Sequence, residues 1–87
     1  MSHHVEWTPP ARRDMARLPA KVALAVLTYV DHRLASNPLR LSKPLTGDLS
    51  PLRSARNGDY RMLIEVTRND PVVRIVHVDH RAHAYRR

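Results

Sequence analysis

The apolar residues of this chain change their spacing partway along. Between Pro10 and Asn37 they recur at helical intervals, and from Leu52 onward they alternate with polar residues as in strands. Ala11, Met15 and Leu18 form one helical stripe, with Arg12, Arg13 and Arg17 on other faces, until Pro19 breaks the pattern. A second helix follows over "AKVALAVLTYVDHRLAS". Val22, Val26, Tyr29, Val30 and Leu34 make its apolar face, Leu24 and Leu27 broaden it, and Asn37-Pro38 ends it. Ahead of both helices, Val5-Glu6-Trp7-Thr8 reads as a short strand, with Thr8 as N-cap and Pro9 at the first helical position. Two helices joined at a proline form an αα-hairpin that can cover one face of a sheet.

Residues 38–51, "PLRLSKPLTGDLSP", are rich in turn formers and read as irregular. Three strands are predicted beyond them. The first is "LRSAR" (52–56), short and polar. "GDYRMLIEV" follows across a turn at Asn57-Gly58, and "VVRIVHV" (72–78) follows a second turn at Asn69-Asp70-Pro71. The last strand is the most apolar and is expected at the centre. The order is β-α-α-β-β-β, an α+β fold in one domain spanning 1–87, with the helical hairpin on one face of a small, mainly antiparallel sheet. Alternation within 60–66 places Tyr60, Met62, Ile64 and Val66 on one face and Arg61, Leu63 and Glu65 on the other. The Met62 face suits burial under the helices, so Arg61 is expected on the opposite, open face. Arg53 and Arg56 then lie nearby if the preceding strand pairs with it.

Charge changes the picture from fold to function. Fifteen Lys plus Arg against eight Asp plus Glu give +7, and a domain this basic is suited to phosphates or an acidic protein partner. Only Lys21 and Lys43 are lysines, which leaves thirteen arginines. Arginine grips phosphate through a planar fork and does not readily act as a base. An arginine-rich but functionally neutral surface is the plainer explanation of the charge alone. With no cysteine, a disulfide framework and a thiolate zinc site are excluded, and a reducing cytoplasm is the expected location. No apolar run reaches the length of a membrane span, and no signal-peptide core is visible at the N-terminus.

The closing "HVDHRAHAYRR" (77–87) adds the remaining chemistry. Cleaving RNA through its own 2′-hydroxyl requires a base, cations around the strained phosphate and an acid for the leaving oxygen. Arg61 and Arg81 supply the cations. Histidine is the side chain whose ordinary pKa lies nearest neutrality, so His80 and His83 are candidates for base or acid, although exposed tail histidines are an equally simple explanation. Tyr85 can stack on a base or donate a proton. His77 lies within the last strand and reads as a packed or sheet-face residue. Trp7 and Tyr29 read as core aromatics. A metal site built from His77, His80 and His83 lacks supporting carboxylates or a recognisable ligand spacing, so no metal is expected.

Several motifs together resemble the RelE branch of the RelE/ParE toxins of bacterial toxin–antitoxin systems. The resemblance spans essentially the whole chain. Its most specific pieces are "KPL-x-G-x-L", the run from Arg56 to Arg61 ("R-x-G-D-Y-R") and the closing "HR-x-x-x-Y". It implies a small α+β toxin that enters the ribosomal A site and cuts mRNA without a metal or other cofactor, as the 2′-hydroxyl attacks the neighbouring phosphate. By position, Arg61 would stabilise the scissile phosphate, Arg81 would contact it or protonate the leaving group, and Tyr85 would orient a base. Arg53 and Arg56 would grip mRNA or ribosomal RNA. A small, acidic, partly disordered antitoxin would hold the toxin inactive, and the complex would bind operator DNA. One departure concerns the base. Well-studied members carry lysines on the strand before "YR", whereas this chain has Leu52-Arg53-Ser54-Ala55-Arg56. His80 or His83 would then take the proton, or catalysis would rest on positioning and electrostatics. The alternatives are a ParE-like gyrase inhibitor and a weakly catalytic member that binds its antitoxin and helps repress its operon.

Overall fold

The computed structural model describes residues 3–67 and 71–80. Its elements in chain order are β1 (His4–Trp7), α1 (Pro9–Ala16), α2 (Ala20–Tyr29), β2 (Ser42–Pro44), β3 (Arg53–Asn57), β4 (Tyr60–Val66) and β5 (Val72–His80). The strands form one five-stranded sheet in the order β1-β5-β4-β3-β2. β1 runs parallel to β5 and the other pairs are antiparallel. β5 is therefore interior but not at the centre as expected, because β4 takes the middle position. Among the described residues no helix is long and apolar enough to cross a membrane.

Local chemistry sets the element boundaries. Thr8 ends β1 rather than extending it, because its side chain caps α1 by accepting from the Ala11 N–H at 3.2 Å. Its own N–H donates to the Ile75 carbonyl, and its hydroxyl lies 2.9 Å from the Val76 carbonyl. This one residue therefore fixes α1 against β5. The second helix closes earlier than its apolar stripe predicts. After Tyr29 the chain widens into a π-type turn, with Ala35 N–H donating to the Val30 carbonyl at 2.9 Å. Val30 and Leu34 remain buried all the same.

The core lies between the helices and one face of the sheet. Ala11, Val26, Val30 and Leu34 meet Ala55, Met62, Ile64, Val73, Ile75 and Val78 there, and Trp7, Tyr29 and Tyr60 pack against its margin. The Met62 face of β4 is thus the helix-covered one, as its alternation requires.

Three further details differ from the sequence expectation. The stretch read as irregular contains β2, which pairs Lys43 with Ser54 on β3. The β3–β4 hairpin closes one residue later than the Asn57-Gly58 dipeptide suggests, because Asn57 still pairs with Tyr60 and the loop is Gly58-Asp59. Gly58 takes a φ of +61° while Asp59 stays negative, the sign pattern of a II′ turn led by glycine. Finally, β5 contains a bulge opposite β4, where Leu63 pairs with His77 but Ile64 pairs with Ile75. Val76 is the extra residue. The turn expected at Asn69-Asp70 lies outside the described residues.

Candidate functional site

Strand pairing decides which side chains share the uncovered face. Cross-strand partners point to the same side, so the register gives two adjacent rows there. One row holds Arg56, Arg61 and Asp79, and the next holds Lys43, Ser54, Leu63 and His77. Arg56 and Arg61 are directly opposite each other. Like charges at such a pair repel, and an anion lying between the two guanidinium groups would relieve the repulsion.

Of these residues, Lys43, Ser54, Arg56 and Arg61 line a cleft of about 620 Å³ together with Tyr29, Arg40 and Leu41, and His77 and Asp79 stand beside it on the next strand. Burial pushes the Tyr29 phenol above its ordinary range, and Arg33 pulls it partly back. Tyr29 therefore presents a neutral hydroxyl near neutral pH. Lys43 answers part of the question left by the lysine-free strand. Its place on β2 puts an ammonium stem beside Ser54, across the strand gap from where a lysine on β3 would stand. A three-residue strand ending in Pro44 has too few positions to show alternation. Lys43 within the "KPL" motif was the available signal.

Not every arginine of these strands joins the cleft. Arg53 shares the face of Ala55 and Ile64, away from Arg56 and Arg61. Its Nε donates to Ser42 Oγ at 2.7 Å, and one terminal nitrogen donates to the Ser42 and Leu39 carbonyls at 3.0 and 3.2 Å. The fold uses it to stitch β3 to the segment before β2, and does not bring it to the expected RNA-gripping group. Arg74, on the uncovered face, bridges Glu65 at 2.7 Å and Glu6 at 3.1 Å. The Glu65 hydrogen bond, then that from Glu6, holds its guanidinium still more firmly protonated. Arg74 thereby clamps three neighbouring strands together.

The histidines separate in the same way. His80 pairs with Tyr60 on the helix side, its ring edge-on to the phenol at 5.5 Å between centroids. It does not share the face of Arg61. His77 does, because of the bulge. Ile75 and Val78 are both buried although three residues apart, so Val76 and His77 between them turn outward. His77 Nδ1 lies 3.0 Å from Asp14 Oδ2 of α1, and the same oxygen accepts from the Val78 N–H at 3.0 Å. His77 and His80 thus point to opposite faces of β5, an arrangement unsuited to a shared metal. Arg81, His83 and Tyr85 lie outside the described residues.

Comparison with known proteins gives a consistent result. The ParE toxin family of type II toxin–antitoxin systems matches residues 5–85. The chain is similar to Toxin RelE of Mycobacterium tuberculosis, with 44% identity over 97% of this chain and 87% of that protein. It is also similar to Toxin RelG of the same organism, with 41% identity over the full length of both. Its fold superimposes on a chain of the Mycobacterium tuberculosis toxin–antitoxin complex RelBE2 with a TM-score of 0.89 and 38% identity, covering 93% of this chain and 100% of that one. An archaeal RelE–RelB complex from Pyrococcus horikoshii gives a TM-score of 0.73 at 27% identity, covering 97% and 100%.

Proposed function

The chain belongs to the RelE/ParE superfamily of type II toxin–antitoxin toxins, on its RelE side, and from that premise we propose that it is a ribosome-dependent mRNA endonuclease. In this reading it cuts mRNA by attack of the substrate's own 2′-hydroxyl on the adjacent phosphate, without a metal, and so stops translation in the cytoplasm. The observation that carries it is the cross-strand pair Arg56–Arg61 at the cleft. Two forks set opposite each other on adjacent strands suit a phosphate whose oxygens gain charge as the fifth bond to phosphorus forms. Arg40 and Lys43 extend the positive surface along the cleft, where a backbone phosphate on either side of the scissile one would lie.

Arg81 and Tyr85 complete the site by resemblance, Arg81 against the phosphate or leaving oxygen and Tyr85 stacked on a base. His80 and His83 enter the proposal only as candidate proton carriers of the tail. A cognate antitoxin is the first partner, since the solved structures similar to this chain include complexes of toxin with antitoxin. A short acidic segment that orders on binding would neutralise this basic face. The ribosome and mRNA are the targets, and the toxin–antitoxin complex binds operator DNA.

A second reading, inhibition of DNA gyrase, follows from the ParE name of the matching family. Mapping mRNA ends on translating ribosomes separates the two. Wild type is expected to produce breaks within codons. Arg61→Ala is expected to lower cleavage by about 10²–10³-fold, the usual loss when one transition-state charge donor is removed. Intact mRNA accompanied by trapped gyrase–DNA complexes would establish the second reading instead.

A further inference from the structure

The nuclease reading leaves the base unassigned, and the described residues offer an arrangement that the strand alternation alone conceals. His77 stands on the Arg61 face, diagonal to Arg61 across β4 and β5, because Arg61 pairs with Asp79 and Leu63 pairs with His77. Diagonal neighbours in an antiparallel pair lie about 7–8 Å apart, within reach of long side chains and of a nucleotide bound between them. The ring is half exposed, while its Asp14 partner is largely covered at 19%. An ionised carboxylate can only accept, so the contact at 3.0 Å places a proton on Nδ1, and in the neutral ring this leaves a lone pair on Nε2. Asp14 is itself held by the Val78 N–H, which keeps it in place without the histidine.

We propose that His77 Nε2, oriented by Asp14 at the β5 bulge beside Arg61, is the base that deprotonates the attacking 2′-hydroxyl. This rests on the nuclease reading above. The hydroxyl proton passes to Nε2 as the 2′-oxygen bonds to phosphorus. The bond from phosphorus to the 5′-oxygen breaks, that oxygen takes a proton from water, and the products are a 2′,3′-cyclic phosphate and a 5′-hydroxyl. His77 then returns its proton to solvent. Asp14 is a positioning residue in this scheme, because it reaches the substrate only through the ring.

Charged groups face His77 from three elements. α1 presents Asp14, while Arg12, Arg13 and Arg17 on the same helix are exposed. β4 presents Arg61 and Glu65 on either side of Leu63, with Glu65 bound to Arg74. β5 itself adds Asp79. Asp14 holds Nδ1 directly, so removing it takes away the partner that aims Nε2 at the substrate.

Single-turnover cleavage of ribosome-bound mRNA, followed across pH in the intact toxin, tests the assignment. Wild type is expected to lose rate on the acid side as His77 protonates. His77→Asn retains an amide donor toward Asp14 but has no Nε2. It should keep the wild-type thermal midpoint, cleave about 10²–10⁴-fold more slowly, and lose the acid limb. Asp14→Asn, which keeps an oxygen acceptor for Nδ1, should restore most of the rate lost in Asp14→Ala through kcat with KM unchanged, which a purely structural contact would not do. His77→Asn cleaving at the wild-type rate with its acid limb intact, while Arg61→Ala is silent, overturns the base but keeps the nuclease. Rate lost only in Lys43→Met does the same and moves the base to β2. Wild type that leaves ribosome-bound mRNA whole overturns the nuclease reading itself and the base with it.

Discussion

Two faces of the same three strands put similar side chains to different uses. On the helix side, Ala55, Met62, Ile64 and Val78 are buried, and the polar groups at its margin are tied down, Arg53 by Ser42 and Leu39 and His80 edge-on to Tyr60. On the other side, Arg56 faces Arg61 across the hairpin. The Arg53–Arg56 contrast shows this most clearly. They are three residues apart on one strand, so they point to opposite faces, and identical side chains become a structural tie and a candidate phosphate ligand. Sequence identity of the residue does not decide its role here; strand parity does.

The largest expected effect is on the helix side. Ile64, on the middle strand, is fully buried beneath the helices. Ile64→Ala should cost about 2–5 kcal/mol, enough to leave a domain of this size marginal or unfolded. Urea denaturation of the isolated toxin or of its antitoxin complex would measure it. A loss below about 1 kcal/mol would mean that the helices do not seal this face.

Arg53 gives an intermediate test of the contrast. Arg53→Ala removes three hydrogen bonds and leaves buried Ser42 with one partner, the Pro38 carbonyl. A loss of about 1–2 kcal/mol of stability is expected, consistent with charge-assisted bonds that are partly solvated. The variant that folds should still cleave, at a rate close to wild type. Cleavage lost with stability intact would return Arg53 to the RNA-gripping group.

Much of this arrangement was legible in the sequence, and the parts that were not have particular causes. The period of β4 identified both its buried face and the side on which Arg61 stands. The Thr8-Pro9 cap was equally plain, since it needs only local chemistry. The partner of Arg61 was not. A two-residue loop at Asn57-Gly58 would have set Arg61 opposite Ser54, whereas the Gly58-Asp59 loop sets it opposite Arg56. Asn-Gly suits a I′ turn and a leading glycine suits a II′ turn, so the same residues permit either register. His77 was concealed differently. Uninterrupted alternation would bury His77 with Val73 and Ile75 and expose Val78, and the bulge at Val76 reverses both. The bulge coincides with Thr8 bonding to the Ile75 and Val76 carbonyls, a contact 67 and 68 residues away in sequence that no local pattern reports. Asp14 was missed for the same reason, since only packing of α1 along β5 gives it a partner.

The smallest effect has the more informative sign. Opposed guanidinium groups cost a sheet stability, on the order of a few tenths of a kcal/mol at an exposed pair. Arg56→Thr removes that repulsion and introduces a residue well suited to strands, so the free toxin should gain up to about 0.5 kcal/mol. The gain should shrink as phosphate is added, because an anion bound between the two arginines stabilises wild type selectively. Cleavage should fall in the same variant. Stability and activity moving in opposite directions on one substitution is the behaviour of a side chain retained for what it binds. If Arg56→Thr instead destabilises the free toxin, Arg56 belongs with Arg53 among the structural ties, and the phosphate-gripping face reduces to Arg61 and its neighbours on β2.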